Sequence, residues 1–393
     1  MKIRKRYGIL EKIAFISTYP PEECGIGEYT YFLVNALKTI FDGEIAVFSN
    51  IVSNIGVREY PKGVKVIPSF WRGKPIYNIA LENIRKTGPY DVIHIQHEWG
   101  LFPEPFEFLR FLSKLRKHAK RVVITLHKVL HVLNSKVRNV KKYHRELSEI
   151  VDLIIVHSVL QEFELWSQGL ELESIVRIPH GTLTNPYISE PKEKLIESLG
   201  LDGSISSKIV LTTPGFLRID KGLDVLFRTF ERIRRVRNDV VLIVSGNYQG
   251  KQSVLEKLRR IIELYGAEVP SVVLIRRYLR TDEILKLIAA SDIIILPYRR
   301  ARGEYSVSGI LHLALGSFKI IVGTRVPRLV EYYQLMPSLF APPERDDILA
   351  RIVLDVLENY RKVYREFKLA ITSFVEKTSW INVAKKHLEA YYS

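Results

Sequence analysis

Short apolar runs of strand length alternate with stretches of helical period along nearly the whole chain, and this alternation leaves few folds open. The strand candidates of the first half are Ile13 to Ser17, Ile45 to Phe48, Val64 to Ile67, Val92 to Gln96, Val122 to Thr125 and Leu153 to Val156. Those of the second half are Ile209 to Thr213, Val240 to Ser245, Val272 to Ile275, Ile293 to Leu296 and Ile320 to Gly323. Helical segments such as Leu223 to Arg237 and Leu255 to Tyr265 fill the intervals. Runs that are apolar without alternation belong to strands buried on both faces, so the pattern predicts an α/β protein with parallel sheets covered by helices.

A chain of 393 residues exceeds the size at which one core keeps growing, which predicts two domains. The break falls in Ile178 to Lys194, rich in Pro, Thr, Asn and Ser and without a period, giving domains over 1–185 and 186–393. The closing helix, about 380–391, is amphipathic and free to pack on either domain, the first included. Two doubly wound domains facing each other across a cleft follow from this reading.

Composition narrows the class. At 47% hydrophobic residues, with no run of 18 uncharged apolar residues, the chain reads as a globular protein without a membrane span. The opening MKIRKRYGILEKIAF lacks the apolar stretch and cleavage site of a secretory signal, which predicts a cytoplasmic location. A single cysteine, Cys24, excludes an internal disulfide framework and a thiolate metal cluster. Two Met beside many Tyr, Ile, Arg and Glu fit a heat-adapted protein.

Net charge is +16, with a pI near 9.6. Part of the excess is clustered, in Lys114, Arg116, Lys117, Lys120 and Arg121 and again in Lys136, Arg138, Lys141, Lys142 and Arg145. Leu109, Phe111, Leu112 and Leu115 lie among the first set, so these clusters are either solvated faces or a contact for an anionic membrane surface. No aromatic and basic strand motif of an RNA binder is present, and nucleic acid is not an expected partner.

Three groups of residues are placed to do chemistry. The first strand leads through Ser17 to Tyr19 into Cys24-Gly25-Ile26-Gly27 and a helix; glycines at such a turn fit either a tight turn or a close approach to a phosphate. Thr30 holds the place of a third glycine, so this is not a dinucleotide fingerprint. In the second half, Arg218 and Lys221 enter a helix together, a pair suited to a diphosphate, Arg as a fork and Lys as a point charge. Further on, a strand ends at Pro297, a loop with Arg299, Arg300 and Arg302 follows, and a helix opens on Ser308-Gly309, where free N–H groups and the helix dipole favour an anion. The third group is His97, His127, His157 and His180 at strand ends and a turn, with His127 and His97 the leading ligand contacts and His157 equally readable as packing. No metal-binding spacing links them.

These pieces, TYPPEECGIGEYTYFLVNAL, YDVIHIQHEWGLF, VVITLHKVLH, DLIIVHS, RIPHGT, TTPGFLRIDKGLDVL and SDIIILPY with SVSGILHLALG, occur in an order that resembles the GT-B retaining glycosyltransferases of family 4. The resemblance implies an N-terminal acceptor domain, a C-terminal nucleotide-sugar domain, sugar transfer with retention and no divalent metal. It places Gly25 and Gly27 near the donor diphosphate, His127 on the transferred sugar, Lys221 on the diphosphate, Ser308 and Gly309 under the phosphates, and His97 and Glu98 on the acceptor side. The chain departs from the family at Phe216, where an Arg is usual, and at Tyr305 and Leu313, which align with the usual pair of glutamates. Glu304 stands next to the first of these and is expected to serve in its stead.

The function expected is hexosyl transfer from an NDP-sugar to a glycan, lipid-linked or small-molecule hydroxyl, with His127, Lys221 and Arg218 at the reacting centre. Two rivals fit the departures: a non-catalytic partner subunit that binds a nucleotide or glycan, and a UDP-sugar epimerase using Glu98 and Glu304 as acid and base.

Overall fold

A computed structural model describes residues 10–52, 60–134, 137–250, 252–266 and 271–393. It divides into two compact units. The first holds the described residues up to Gly181 together with Arg302–Val307 and Thr378–Ser393; the second holds Thr182–Ala301 and Ser308–Lys377.

Eight strands of the first unit come from its N-terminal part: β1 (Lys12–Ile16), β2 (Glu44–Asn50), β3 (Val64–Phe70), β4 (Tyr90–His97), β5 (Ala119–Leu126), β6 (Lys128–Leu130), β7 (Leu153–Val156) and β8 (Ile175–Arg177). Seven form a sheet in the order β3-β2-β1-β4-β5-β7-β8, in which every pairing is parallel. β4 is buried along its whole length, whereas the edge strand β3 is half-exposed and carries Pro68, which an edge tolerates because it lacks a ladder donor. The closing helix, Trp380–Tyr392, packs on the helix Gly25–Lys38 of this unit. Arg121 caps it, its Nη1 donating to the carbonyls of Ala390 at 3.3 Å and Tyr391 at 3.0 Å, where the helix dipole favours a cation.

That contact takes Arg121 out of the first basic cluster's surface. Arg121 is buried, whereas Lys114, Arg116, Lys117 and Lys120 are exposed, Arg116 pairing with Asp152 and Lys120 reaching Asp91 at 2.7 Å. The apolar side of their helix, Pro105–Leu115, is spent on the core: Leu109, Phe111, Leu112 and Leu115 are all buried. An amphipathic stripe is the same in sequence whether it meets a sheet or a lipid, and here it meets the sheet. In the second cluster Lys136 lies outside the described residues, Arg138 and Lys141 are exposed, and Lys142 and Arg145 face Glu146 and Glu149 at 3.6 and 4.0 Å.

The second unit contains β9 (Ile209–Thr213), β10 (Val240–Ser245), β11 (Val272–Ile275), β12 (Ile293–Leu296), β14 (Ile320–Thr324) and β15 (Phe340–Ala341), all parallel, in the order β11-β10-β9-β12-β14-β15. Successive side chains of a strand point to opposite faces. Leu211, Leu242 and Val244 therefore enter one core with the helices Leu223–Arg234, Gly309–Gly316 and Asp346–Glu358. Val210, Val241 and Ile243 enter another with Lys192–Ser198 and Thr281–Ala290. Each such Val, Leu or Ile contributes roughly 1.5–3 kcal/mol on burial. The helix expected over 255–265 spans Gln252–Ile261 and continues as a π-helical turn, Ile262–Gly266.

Chain order reverses between β1 and β4 in the first sheet and between β9 and β12 in the second. Open α/β sheets bind ligands at the carboxyl ends of strands at such reversals. The stretch expected to be one basic loop contains a short strand, β13 (Glu304–Ser306), antiparallel to β6 in the first unit, with Glu304 opposite Leu130.

Candidate functional site

In the second unit β9 runs out into the loop that carries Arg218 and Lys221. Gly222 makes the turn back into the helix with φ +67°, and a Cβ there would sit 2.1 Å from the carbonyl oxygen of Pro297. Only glycine allows so close an approach, and it brings Lys221 against Tyr298 at the end of β12. The Lys221 ammonium lies 4.0 Å from the Tyr298 ring centre and donates to the Tyr298 hydroxyl at 2.6 Å. That hydroxyl is 3.0 Å from Ser308 Oγ, which caps the helix Gly309–Gly316 by accepting the Leu311 N–H at 3.3 Å. Capping at Leu311 leaves the first N–H groups of this helix, at Gly309 and Ile310, without a helical acceptor.

Arg218 does not offer its fork to a ligand as the spacing suggested. Its Nε and Nη2 bind Asp220 at 3.0 and 2.7 Å, and Arg328 binds the same carboxylate. Burial pushes the Asp220 carboxyl up, but Arg218, Arg328 and Lys221 outweigh it and hold the group well below the usual carboxylate range. Three cations around one carboxylate leave a surplus of positive charge. Burial, with Arg218 and Arg328 next, drives Lys221 well below an ordinary lysine, a strain that an arriving anion relieves. Arg299 is drawn off to Asp224 and Glu344, while Arg300 is exposed and Arg302 belongs to the first unit. Phe216, in the usual place of an Arg, meets the Tyr278 ring at 5.6 Å.

In the first unit a Cβ on Gly25 would meet nothing within 4 Å, so the turn is open to a ligand there. On Gly27 it would touch the Thr18 backbone at 3.4 Å, an ordinary packing contact. Thr30, in the place of a third glycine, holds Ser17 through its hydroxyl at 2.7 Å. At the end of β5 His127 is buried, Nε2 at 2.8 Å from Gln96 Oε1 and Nδ1 at 3.3 Å from His157 Nε2, while His157 Nδ1 donates to the Ile178 carbonyl at 2.9 Å. Burial, then His157 and His180, keeps the His127 ring neutral. Tyr29 is surrounded by the rings of His127, His157, His180 and Trp380 at 4.7 to 5.2 Å, and its hydroxyl is buried without a partner.

His97 is walled in rather than presented. It is 1% exposed, with Trp99 and Phe108 at 5.1 Å and the Tyr143 hydroxyl 3.2 Å from its Nε2; burial pushes it down to about 3. Its neighbour Glu98 bonds Lys128 at 3.1 Å, and Glu304 reaches the same ammonium at 3.3 Å. Glu304 thus stands in the first unit beside Glu98, not in the unit that holds Ser308 and Gly309, because β13 carries it onto β6. Burial raises the Glu98 carboxyl, yet Lys128 and the Gly100 N–H hold it below its ordinary value. An ionised carboxylate does not supply the acid of an epimerase pair. Tyr305 and Leu313, both partly buried, add no carboxylate to either unit. Among the described residues no group of three His, Cys, Asp or Glu is arranged to hold a metal ion.

The sequence reading passed over Tyr298, Asp220, Arg328, Gln96 and Tyr29. Tyr298 had a signal, since it follows a strand end in the same way as His127 and Lys221's loop.

Residues 208–359 match the family model of glycosyl transferases group 1. The whole chain is similar in fold to HepE of Anabaena, solved with UDP and glucose, at TM-score 0.73 and 16% identity, covering 98% of this chain and 100% of that one. It is similar to sucrose-phosphate synthase of Thermosynechococcus elongatus at TM-score 0.73 and 17% identity, over 97% and 98% of the two chains. A UDP-forming trehalose-phosphate synthase of Burkholderia xenovorans, solved with glucose-6-phosphate, matches at TM-score 0.71 and 13% identity over 97% and 100%. The chain has the GT-B fold. Within it the group 1 match spans β9 to the helix Asp346–Glu358, and so includes Lys221, Tyr298, Ser308 and Arg328.

Proposed function

We propose that the chain moves a hexosyl group from a nucleoside-diphosphate sugar to a hydroxyl of a glycan, lipid-linked or small-molecule acceptor, with retention at the anomeric carbon as in family 4. The second unit binds the donor and the first the acceptor. The observation that carries this reading is the positive surplus of Lys221, Arg218 and Arg328 about Asp220, next to the capped helix at Ser308. The bond from the anomeric carbon to the diphosphate oxygen breaks as the acceptor oxygen bonds to that carbon on the same face, and the acceptor proton passes to the departing diphosphate. Charge developing on the diphosphate is met by Lys221, the free Nη1 of Arg218 and the amides at Ser308-Gly309. Neutral His127 orients a sugar hydroxyl, for which it exchanges its contact with Gln96. The HepE structure, which contains UDP and glucose, favours a UDP-hexose.

The test is incubation of the full chain with UDP-, GDP- and ADP-hexoses and a panel of acceptors, with the new linkage read by NMR. An α-linked product from an α-linked donor supports the reading, and inverted product refutes retention. Turnover unchanged by a chelator is expected, because the protein's own cations serve the diphosphate. No helix among the described residues is long and apolar enough to cross a membrane. Attachment to an anionic surface rests on exposed cations such as Lys114, Lys117, Arg138 and Lys141. Binding to anionic vesicles, lost at high salt and absent on neutral ones, is the expected result; equal binding to both kinds would exclude it.

A further inference from the structure

We propose that Tyr298 is a positioning residue that couples the two phosphate-binding elements of the second unit, so that Lys221 and Ser308 act on a nucleoside diphosphate as one device. The inference rests on the donor reading above and deepens it. Donor and acceptor inventories set the direction of the first bond of the chain. A lysine ammonium only donates, so at 2.6 Å the Tyr298 oxygen accepts from it. The Tyr298 and Ser308 hydroxyls lie 3.0 Å apart, and either can donate to the other. Ser308 Oγ already accepts the Leu311 N–H. Whichever way that bond runs, one hydroxyl proton of the pair is left over for a phosphate oxygen. The two remaining ammonium protons of Lys221 are free in the same sense. The chain therefore presents several donors to a ligand, which suits an anion.

Packing holds the tyrosine in this role. It is 1% exposed, its carbonyl accepts the Thr324 hydroxyl at 2.6 Å, and its ring lies below the Lys221 ammonium at 4.0 Å and the Arg328 guanidinium at 5.9 Å. Burial keeps it a neutral phenol. It stands at the end of β12, beside β9, at the reversal of strand order.

The experiment is calorimetric titration of the full chain with UDP, GDP and ADP, for the parent, Tyr298→Phe, Ser308→Ala and the double variant. Tyr298→Phe keeps the ring and removes only the hydroxyl. Each single change is expected to weaken binding about tenfold, and the double no more than either alone, because both break one chain. Should Tyr298→Phe not fold, the cycle of Lys221→Met with Ser308→Ala reads the same coupling. A parent that binds a nucleotide while Tyr298→Phe binds it equally, or penalties that add, would overturn the inference and leave the donor reading standing. A parent that binds none of the three removes both.

Discussion

The carboxyl ends of β1 and β4 and those of β9 and β12 occupy the same place in the same doubly wound topology, yet their chemistry is opposite. Nine of the ten histidines lie in the first unit, and His97 and His127, at its strand ends, are buried and neutral. The second unit has only His312, and gathers Lys221, Arg218 and Arg328 about one carboxylate instead. Topology supplies the position, and the few residues after each strand decide what is held there. Neutral imidazoles orient hydroxyls without attracting phosphate, whereas a cationic surplus attracts phosphate with little regard to the sugar.

The sharpest way to break this contrast is Lys221→Ala. Turnover should fall on the order of 10² to 10³-fold if the ammonium meets the departing charge, and near-normal steady-state rates would remove it from that role. Acid should separate the two units next. His97, pushed down to about 3, and His144 and His387, pushed down to about 4, are neutral when folded, with burial the first cause of each shift. The unfolded chain protonates them near pH 6.5, so stability present above that pH is lost as pH falls toward 4 and 3, at roughly 1.4 kcal/mol per unit for each histidine. Hydrogen exchange on the whole protein between pH 7 and 4 should show first-unit amides losing protection ahead of second-unit ones; uniform loss would erase the distinction.

Removing one neutral contact should cost less. His127→Phe breaks the bonds to Gln96 and His157 and is expected to slow turnover about 10- to 100-fold with little change in nucleotide affinity. A large drop in that affinity would place His127 with the cations. The smallest change expected is Gly25→Ala, about tenfold in turnover, since the added Cβ enters open space. Its melting temperature should match the parent; a lowered one would make Gly25 a structural glycine.

How far these features were legible depends on the range of the forces involved. β9, β10, β11 and β12 coincide with apolar runs read from the chain, because a strand buried on both faces needs no partner to announce itself. β6, β8, β13 and β15 have two or three residues each, and pairing rather than composition makes them strands. The same limit explains Glu304. It lies four residues before Ser308 in sequence, but β13 pairs with β6, a partner that sequence proximity did not announce. Arg218 and Lys221 were legible as a charged pair, while their sharing of Asp220 with Arg328 was not, since Arg328 arrives from the far side of β14. Whether the stripe with Phe111 faced lipid or core, and that Arg121 was buried, was not legible because an amphipathic stripe carries no label for what it faces.

The central claim is that the second unit holds a nucleoside diphosphate through Lys221. Thermal shift of the full chain with UDP, GDP and ADP, run beside Lys221→Ala, tests it most directly, since a ligand that binds the folded state raises the melting temperature by mass action. The account predicts a rise with one nucleotide that shrinks or vanishes in Lys221→Ala. A parent whose melting temperature none of the three moves, or a shift that survives intact in the variant, would contradict it.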